Sequence, residues 1–309
     1  MTEKNLPTVA VCSGAEAFLA QIKALGAVRY MFANTGTDHG PIIEALARTA
    51  REDPRDIQPI VVPHEQAAVS MAHGYYNVTQ QPQMVLVHTL PGTANALGGI
   101  INAASCNVPL FLVAGRTPIT EGEMRGGKSQ NIHWRQESRD QGSIVREFVK
   151  WDYEVRTNQN LAAVVARAYK IAMSEPRGPV YVTLPREWLA EAMESTQVLA
   201  ADSLAPATKA QADRATLEKV ADWLIAAESP LIVTKYLGRN PEAVAPLVAL
   251  AESLAIPVVQ QFSYVNFPTD HPLYLGTQTA KHARQADVLF FIDIDVPWEP
   301  PDRSVLRDG

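Results

Sequence analysis

From Gln66 through Gly115 the chain carries no Asp, Glu, Lys or Arg, a run of 50 residues in a protein that is 19% charged overall. Solvated helix faces normally carry charge, so a block this long is expected in the interior. A membrane span is the first alternative. Gln80, Gln81, Pro82, Gln83, His88, Pro91, Asn95, Asn102 and Asn107 interrupt it, leaving no window of about 20 apolar residues. The block therefore reads as helix, strand, helix, strand packed inside a core.

The same alternation runs through the first two-thirds of the chain. Short apolar runs predict strands at Tyr30 to Ala33, Ile57 to Val62, Met84 to His88, Leu110 to Ala114, Trp151 to Val155 and Val180 to Leu184. Amphipathic segments predict helices at Ser13 to Leu25, Pro41 to Arg51, Glu65 to Tyr76, Thr93 to Ala104 and Leu161 to Ser174. The pattern implies an α/β fold, a doubly wound, mostly parallel sheet with helices on both faces.

Around residues 191–210 the composition shifts to Ala, Ser, Thr and Pro and reads as a linker between a first domain at 8–190 and a second at 211–309. The second repeats the alternation, with helices at Arg214 to Ala227, Pro241 to Leu254 and Thr279 to Gln285. Its strands are expected at Leu231 to Thr234, Pro257 to Gln260 and Val288 to Ile294. Three strands are few for a doubly wound sheet, and the tail through Pro297, Trp298, Glu299, Pro300 and Pro301 closes no core, so this domain reads as incomplete, a truncated Rossmann-like unit.

A net charge of -6, from 27 basic and 33 acidic residues, leaves no electrostatic footprint for nucleic acid or an anionic membrane. Cys12 and Cys106 stand apart from each other and from further ligands, suggesting neither disulfide nor zinc site, and no metal ligands are assigned. The first ten residues lack a secretory pattern, which makes the cytoplasm the expected compartment.

Glu65 is the last charge before the uncharged block and follows Ile60, Val61, Val62 and Pro63, which places it at the C-terminal edge of a parallel sheet, where open α/β sheets bind ligands. A carboxyl beside Ala67, Ala68, Val69 and Met71 is partly desolvated and suited to sharing a proton with a ring nitrogen. A helix N-cap role explains the same residue. His64 and Glu65 also begin a zinc-protease pattern, but position 68 is Ala68, so the second histidine is missing.

The stretch Val62-Pro63-His64-Glu65-Gln66-Ala67-Ala68, followed by Ala72-His73-Gly74-Tyr75, resembles the pyrimidine-binding domain of thiamine-diphosphate enzymes of the acetolactate synthase and benzoylformate decarboxylase group. Three further pieces agree in order: Phe32-Ala33-Asn34-Thr35-Gly36, Pro91-Gly92-Thr93-Ala94-Asn95-Ala96, and Ser174-Glu175-Pro176-Arg177-Gly178-Pro179-Val180. The second domain resembles the family's central domain over its first half.

The resemblance implies that Glu65 hydrogen-bonds the aminopyrimidine of thiamine diphosphate and favours the tautomer that removes the C2 proton. The activity implied is that of a lyase or transferase acting on a 2-oxoacid, in a homodimer or homotetramer. His88, 23 residues beyond Glu65, falls where benzoylformate decarboxylase carries its active-site histidine, and Thr37 where that family carries a serine. A core histidine and a turn hydroxyl are the structural alternatives. Asn34 and Gly36 lie in a strand-to-helix turn suited to close backbone approach, and Pro91, Gly92, Thr93 and Asn95 are expected in the next such turn, against the pyrimidine; turn and cap chemistry explains both.

Arg116 to Arg146 reads as a 30-residue polar loop, functional or disordered. In it Gln136-Glu137-Ser138 stands where acetolactate synthases have Phe-Gln-Glu, a departure that counts against an acetolactate synthase, while His88 favours a decarboxylase-like site. The family's diphosphate and Mg²⁺ domain, with Gly-Asp-Gly followed by Asn, is absent from this sequence, so the chain is expected to be a fragment that is inactive alone. FAD has no support beyond the resemblance. A dehydrogenase is excluded because no Gly-x-Gly-x-x-Gly opens a helix. A non-catalytic or split subunit that keeps only the fold is the remaining alternative.

Overall fold

The computed structural model describes residues 6–49, 56–200, 210–261 and 264–297. The chain divides into two units, Met1–Thr208 and Lys209–Gly309.

Six parallel strands form the sheet of the first unit: β2 (Tyr30–Asn34), β3 (Gln58–Val61), β4 (Met84–Val87), β5 (Phe111–Arg116), β6 (Trp151–Glu154) and β7 (Val180–Pro185), in the order β3-β2-β4-β5-β7-β6. Successive side chains of a strand point to opposite faces, and both faces of the central strands β2, β4, β5 and β7 are largely buried, while the edge strand β3 is mostly exposed. Met84, Leu86, Phe111, Val113, Val180 and Val182 enter one core with α1 (Gly14–Leu25), α2 (Gly40–Thr49) and α6 (Leu161–Met173). Val85, Val87, Leu112, Ala114 and Tyr181 enter the other with α3 (Glu65–Thr79) and α4 (Thr89–Ser105). Near-continuous apolar strands and helices on both sides are what a doubly wound parallel sheet requires.

Helix boundaries follow cap chemistry. Ser13 accepts from the Glu16 amide at the start of α1, and Gly26, at φ 69°, closes it in the left-handed conformation that glycine adopts freely. Helix α4 begins four residues earlier than the sequence pattern suggests, because Pro91 sits in the first turn, where its missing N–H would have had no helical partner. Pro91, Gly92, Thr93 and Asn95 are therefore helical rather than parts of a loop. The expected helix reaching Arg51 is described to Thr49, its last two positions lying outside the described residues.

The uncharged block departs from its expected interior position. Strands β4 and β5 are wholly buried, but α3 and α4 each keep an open face, on which Gln66, Met71, Asn77, Val78, Gly98 and Asn102 are exposed. The absence of charge therefore marks a core together with an uncharged outer surface.

Ser195–Gln197, inside the stretch whose composition resembles a linker, form strand β8, which pairs antiparallel with β1 (Thr8–Ala10). Gln21 reinforces this closure, accepting from the Leu199 amide and donating to its carbonyl, both at 2.8 Å. Residues 201–209 of that stretch lie outside the described residues.

In the second unit β9 (Pro230–Thr234), β10 (Val258–Gln260) and β11 (Val288–Ile292) form a parallel sheet ordered β10-β9-β11. Helices α8 (Arg214–Ala226), α9 (Val244–Leu254) and α10 (Thr279–Ala283) accompany it, and the sequence 298–309 lies outside the described residues. Among the described residues no helix is long and apolar enough to cross a membrane.

Candidate active site

Register brings the carboxyl ends of three strands into line: Ala33 pairs with Val61, and Asn34 with Val87. From β2 the chain turns toward α2 on one face of the sheet, and from β4 toward α4 on the other. This divergence creates the crevice in which open α/β sheets hold ligands. The turns after β2, β3 and β4 carry, respectively, Gly36 to His39, Glu65 and His88.

Glu65 is the first residue of α3 and is only 7% exposed. His64 takes the N-cap position, its Nδ1 accepting from the Gln66 amide at 3.2 Å, so the Glu65 side chain is not needed as the cap. Asn95, on the second turn of α4, donates to Glu65 Oε2 at 3.1 Å. Oε1 has no partner among the described residues. Gly92 makes the close approach of α4 possible, since a Cβ there would stand 3.3 Å from Glu65 Oε1 and 3.2 Å from Val87 Cβ.

His88 follows β4 at the start of α4 and is half-buried. Its Nε2 lies 3.2 Å from Gln136 Oε1, and its Nδ1 lies 3.6 Å from Asp38 Oδ2. Gly36 leaves the room for this ring, because a Cβ there would collide with Nδ1. Thr89, next in sequence, is buried with φ 29°, a conformation that β-branched residues avoid. Strain of this kind persists only where the surroundings enforce it, and it gathers at functional sites.

The other predicted residues separate. Thr37 is exposed at the start of a short 3₁₀ turn, and Asn34 ends β2 half-buried. Pro91 is exposed on the first turn of α4. Thr93 is fully buried, and its hydroxyl is saturated: it donates to the Thr89 carbonyl at 2.7 Å, pairs with the Tyr181 hydroxyl at 2.8 Å and accepts from Gln141 at 3.4 Å. That side chain belongs to the interior. Desolvation by burial is the main reason the Tyr181 hydroxyl in this network is held well above its ordinary pKa.

Asp38 and His39 went unnoticed at the level of sequence. Asp38 is 1% exposed, and neither carboxylate oxygen has a hydrogen-bond partner among the described residues. Burial pushes its carboxyl above the ordinary 3.8, against the fields of His88, His133 and Arg186. His39 Nδ1 accepts from the Gly36 amide at 3.2 Å, and burial, then His88, hold its pKa down at about 3, so it is neutral at physiological pH. An Asp-His pair directly after a Gly-Thr turn at the end of a buried strand is the signal that could have found them.

The polar stretch after β5, which includes the short helix α5 (Asn131–Arg135), is held by charged side chains, two of them on α7 (Arg186–Ala190) beyond it. Arg186 donates to the carbonyls of Gly126 and Gly127 at 2.8 and 2.6 Å, Glu187 accepts from the Thr120 amide and hydroxyl at 2.7 Å, and Arg116 donates to the Ser138 carbonyl at 2.6 Å. Thr117 donates to the Gln136 carbonyl at 3.1 Å, which sets Gln136 over His88. Two cavities of this unit, 220 Å³ beside α1 and 370 Å³ beside β6, do not include Glu65, which opens at the sheet edge. Among the described residues no three His, Cys, Asp or Glu side chains converge as a metal site.

Residues 12–144 match the family model of the thiamine pyrophosphate enzyme N-terminal TPP binding domain, and residues 217–298 match that of the central domain of the same enzymes. The chain belongs to the thiamine pyrophosphate enzyme family. Among curated thiamine pyrophosphate enzymes it is 29% identical to benzoylformate decarboxylase of Pseudomonas aeruginosa over 255 residues, covering 81% of this chain and 45% of that protein. It is 26% identical to the acetolactate synthase large subunit of Lactococcus lactis over 288 residues, 92% of this chain and 47% of the relative. The chain thus spans about half the length of these relatives.

A solved structure of a putative thiamin diphosphate-dependent enzyme from Mycobacterium smegmatis superposes with a TM-score of 0.73 at 25% identity, over 96% of this chain and 55% of that one. A thiamine diphosphate-dependent 4-hydroxybenzoylformate decarboxylase from Rhodococcus jostii RHA1 shares the fold, with a TM-score of 0.73 at 24% identity over 91% of this chain and 51% of that one.

Proposed function

We propose that this chain is the pyrimidine-binding and central portion of a thiamine-diphosphate-dependent enzyme that decarboxylates a 2-oxoacid, and that Glu65 is the carboxyl that activates the cofactor. The observation that carries the reading is the state of Glu65. It is a buried carboxyl with one oxygen held by Asn95 and the other unpartnered among the described residues, at the carboxyl edge of a parallel sheet.

The aminopyrimidine end of the cofactor fits such a site. A flat, uncharged ring needs small residues at its walls, a place between two helices and one carboxyl able to share a proton with a ring nitrogen. Gly92 and the small residues Ala67 and Ala68 in the first turn of α3 meet the first need, and Glu65 Oε1 the last. Bound thiamine diphosphate supplies the carbanion sink on which decarboxylation of a 2-oxoacid depends.

The residues of the chain divide the remaining work. Glu65 holds the proton at Oε1, and Asn95 fixes the rotamer of that carboxyl through Oε2. His88 offers its Nε2 edge, steadied by Gln136, to the substrate carboxylate or to a carbon awaiting a proton. Asn34, Gly36 and Thr37 contribute backbone and hydroxyl groups at the turn after β2, and Pro91, Gly92 and Asn95 form the wall on α4. The pairing of a histidine after β4 with Gln136 favours a decarboxylase-like site over an acetolactate synthase.

Mg²⁺ and the diphosphate would be held by residues outside this chain, in line with its covering about half of its relatives. The open, uncharged faces of α3 and α4 support a homodimer or larger homo-oligomer in which a second copy covers them, since an exposed surface free of charge is favoured at an interface.

Calorimetric titration of thiamine diphosphate into the full-length gene product, with and without Mg²⁺, tests the reading. Saturable binding together with carbon dioxide release from at least one 2-oxoacid is expected. Failure to bind the cofactor in either condition overturns it.

A further inference from the structure

Two backbone amides converge on one ring nitrogen in the segment that carries Gln136. His133 lies on α5, is 1% exposed, and its Nδ1 accepts from the amides of Ser129 and Gln130 at 3.0 and 3.4 Å. Its own amide donates back to the Gln130 carbonyl at 3.0 Å, so the turn 130–133 is closed in both directions. A ring nitrogen that accepts carries no hydrogen, and a charged imidazole has a hydrogen on each nitrogen. The closed turn therefore fits only the neutral ring with its hydrogen on Nε2.

The surroundings agree with the geometry. The charged groups that act on the ring are Arg186 and Glu187 on α7, Asp38 in the turn after β2, and Lys128 in the stretch before α5. Burial, followed by Arg186, holds the His133 pKa below its ordinary 6.5, against the fields of Asp38 and Glu187. The turn after β2 is closed in the same manner, His39 donating its amide to the Gly36 carbonyl at 3.0 Å and accepting from the Gly36 amide through Nδ1 at 3.2 Å.

The turn at His133 connects directly to the candidate site. One turn of α5 onward, the Gln136 amide donates to the Ile132 carbonyl at 3.0 Å, and Gln136 Oε1 lies 3.2 Å from His88 Nε2. Thr117 holds the backbone carbonyl of Gln136 from one side, and the turn closed by His133 delivers α5 from the other.

We propose that His133 is a positioning residue that works as the neutral Nε2–H tautomer, its Nδ1 folding the turn from Ser129 so that α5 sets Gln136 over His88. The effect of that placement on a 2-oxoacid rests on the proposed function, whereas the turn belongs to the chain by itself.

The test uses the full-length gene product without cofactor at neutral pH. Long-range proton–nitrogen correlation spectra of the ¹⁵N-histidine-labelled protein, with signals identified by their loss in His133→Asn and His88→Gln, are expected to show His133 with Nδ1 bare and Nε2 protonated. A hydrogen on Nδ1 overturns the proposal, and this result decides the matter even if a further variant does not fold. Asparagine offers a side-chain oxygen in place of Nδ1, and leucine offers no acceptor. Hydrogen exchange in peptides covering Ser129 and Gln130 is expected to be at least about tenfold faster in His133→Leu, the loss of a hydrogen bond, and close to the parent in His133→Asn. The His88 Nε2 signal should move in His133→Leu and stay in place in His133→Asn. Parent-like exchange or an unmoved His88 signal in His133→Leu overturns the proposal, as does a His133→Asn protein as loose as His133→Leu. Absence of cofactor binding would sink the proposed function and leave these results standing.

Discussion

Asn95 reaches from the second turn of α4 to Oε2 of Glu65, the first residue of α3, across 3.1 Å. The contact ties together two helices that leave the sheet after different strands and gives the carboxyl one orientation. Asn95 is itself exposed, so its hydrogen bond contributes more to orientation than to folding.

Asn95→Ala should therefore lower kcat/KM by about tenfold, the loss expected of one hydrogen bond to the Glu65 carboxyl worth roughly 1.5 kcal/mol. The melting temperature should hardly move. Steady-state kinetics beside a thermal melt check both, and a large drop in melting temperature with unchanged kinetics would contradict this division.

Gly92→Ala sets helix propensity against space. Alanine in place of glycine stabilises a helix by about 1 kcal/mol, while the new Cβ meets Val87 and Glu65 Oε1 at 3.2 and 3.3 Å. Stability should stay within about 1 kcal/mol of the parent. Cofactor affinity should fall if Glu65 Oε1 receives the ring as proposed, because the methyl group stands against that oxygen. Urea unfolding and calorimetry read the two effects separately.

Thr93 should behave in the opposite way to Asn95. Its hydroxyl is bound to Thr89, Tyr181 and Gln141 in the interior, so Thr93→Val leaves buried polar atoms without partners and should cost about 1 to 3 kcal/mol of stability. Tyr181→Phe should cost a similar amount, and the double variant less than the sum, since both remove the same network. Chemical denaturation of the three variants measures the coupling.

His39 makes the fold sensitive to acid. In the unfolded chain it takes up a proton near its ordinary 6.5, but in the fold only near 3. Between those values the unfolded state binds the extra proton, so the contribution of His39 to stability is complete above 6.5 and is lost as pH falls toward 3. The slope approaches about 1.4 kcal/mol per pH unit at its steepest. Unfolding free energies of His39→Asn across this range should show a shallower acid slope than the parent.

Much of this architecture is legible in the chain because the strands of a doubly covered sheet are apolar on both faces. The runs at Met84 and Leu110 could hardly be anything else. Glu65 was visible for the same reason, as a lone carboxyl at the border of a block without charge. The β1 and β8 ribbon was not, because a three-residue strand such as Ser195–Gln197 has no room for a period and takes its structure from a partner nearly two hundred residues away. Absence of charge also could not separate core from uncharged surface, and the open faces of α3 and α4 fall on that ambiguity. Asp38 and His39 escaped because burial of a charged residue in a turn depends on what folds over it, here β5 and the segment from Thr117 to Gln141.

The full-length gene product bearing Glu65→Gln tests the central claim most directly, through exchange of the C2 proton of bound thiamine diphosphate with deuterated solvent. The account predicts exchange slowed by at least about 100-fold, with cofactor affinity reduced far less. Exchange at the rate of the unsubstituted protein would contradict it.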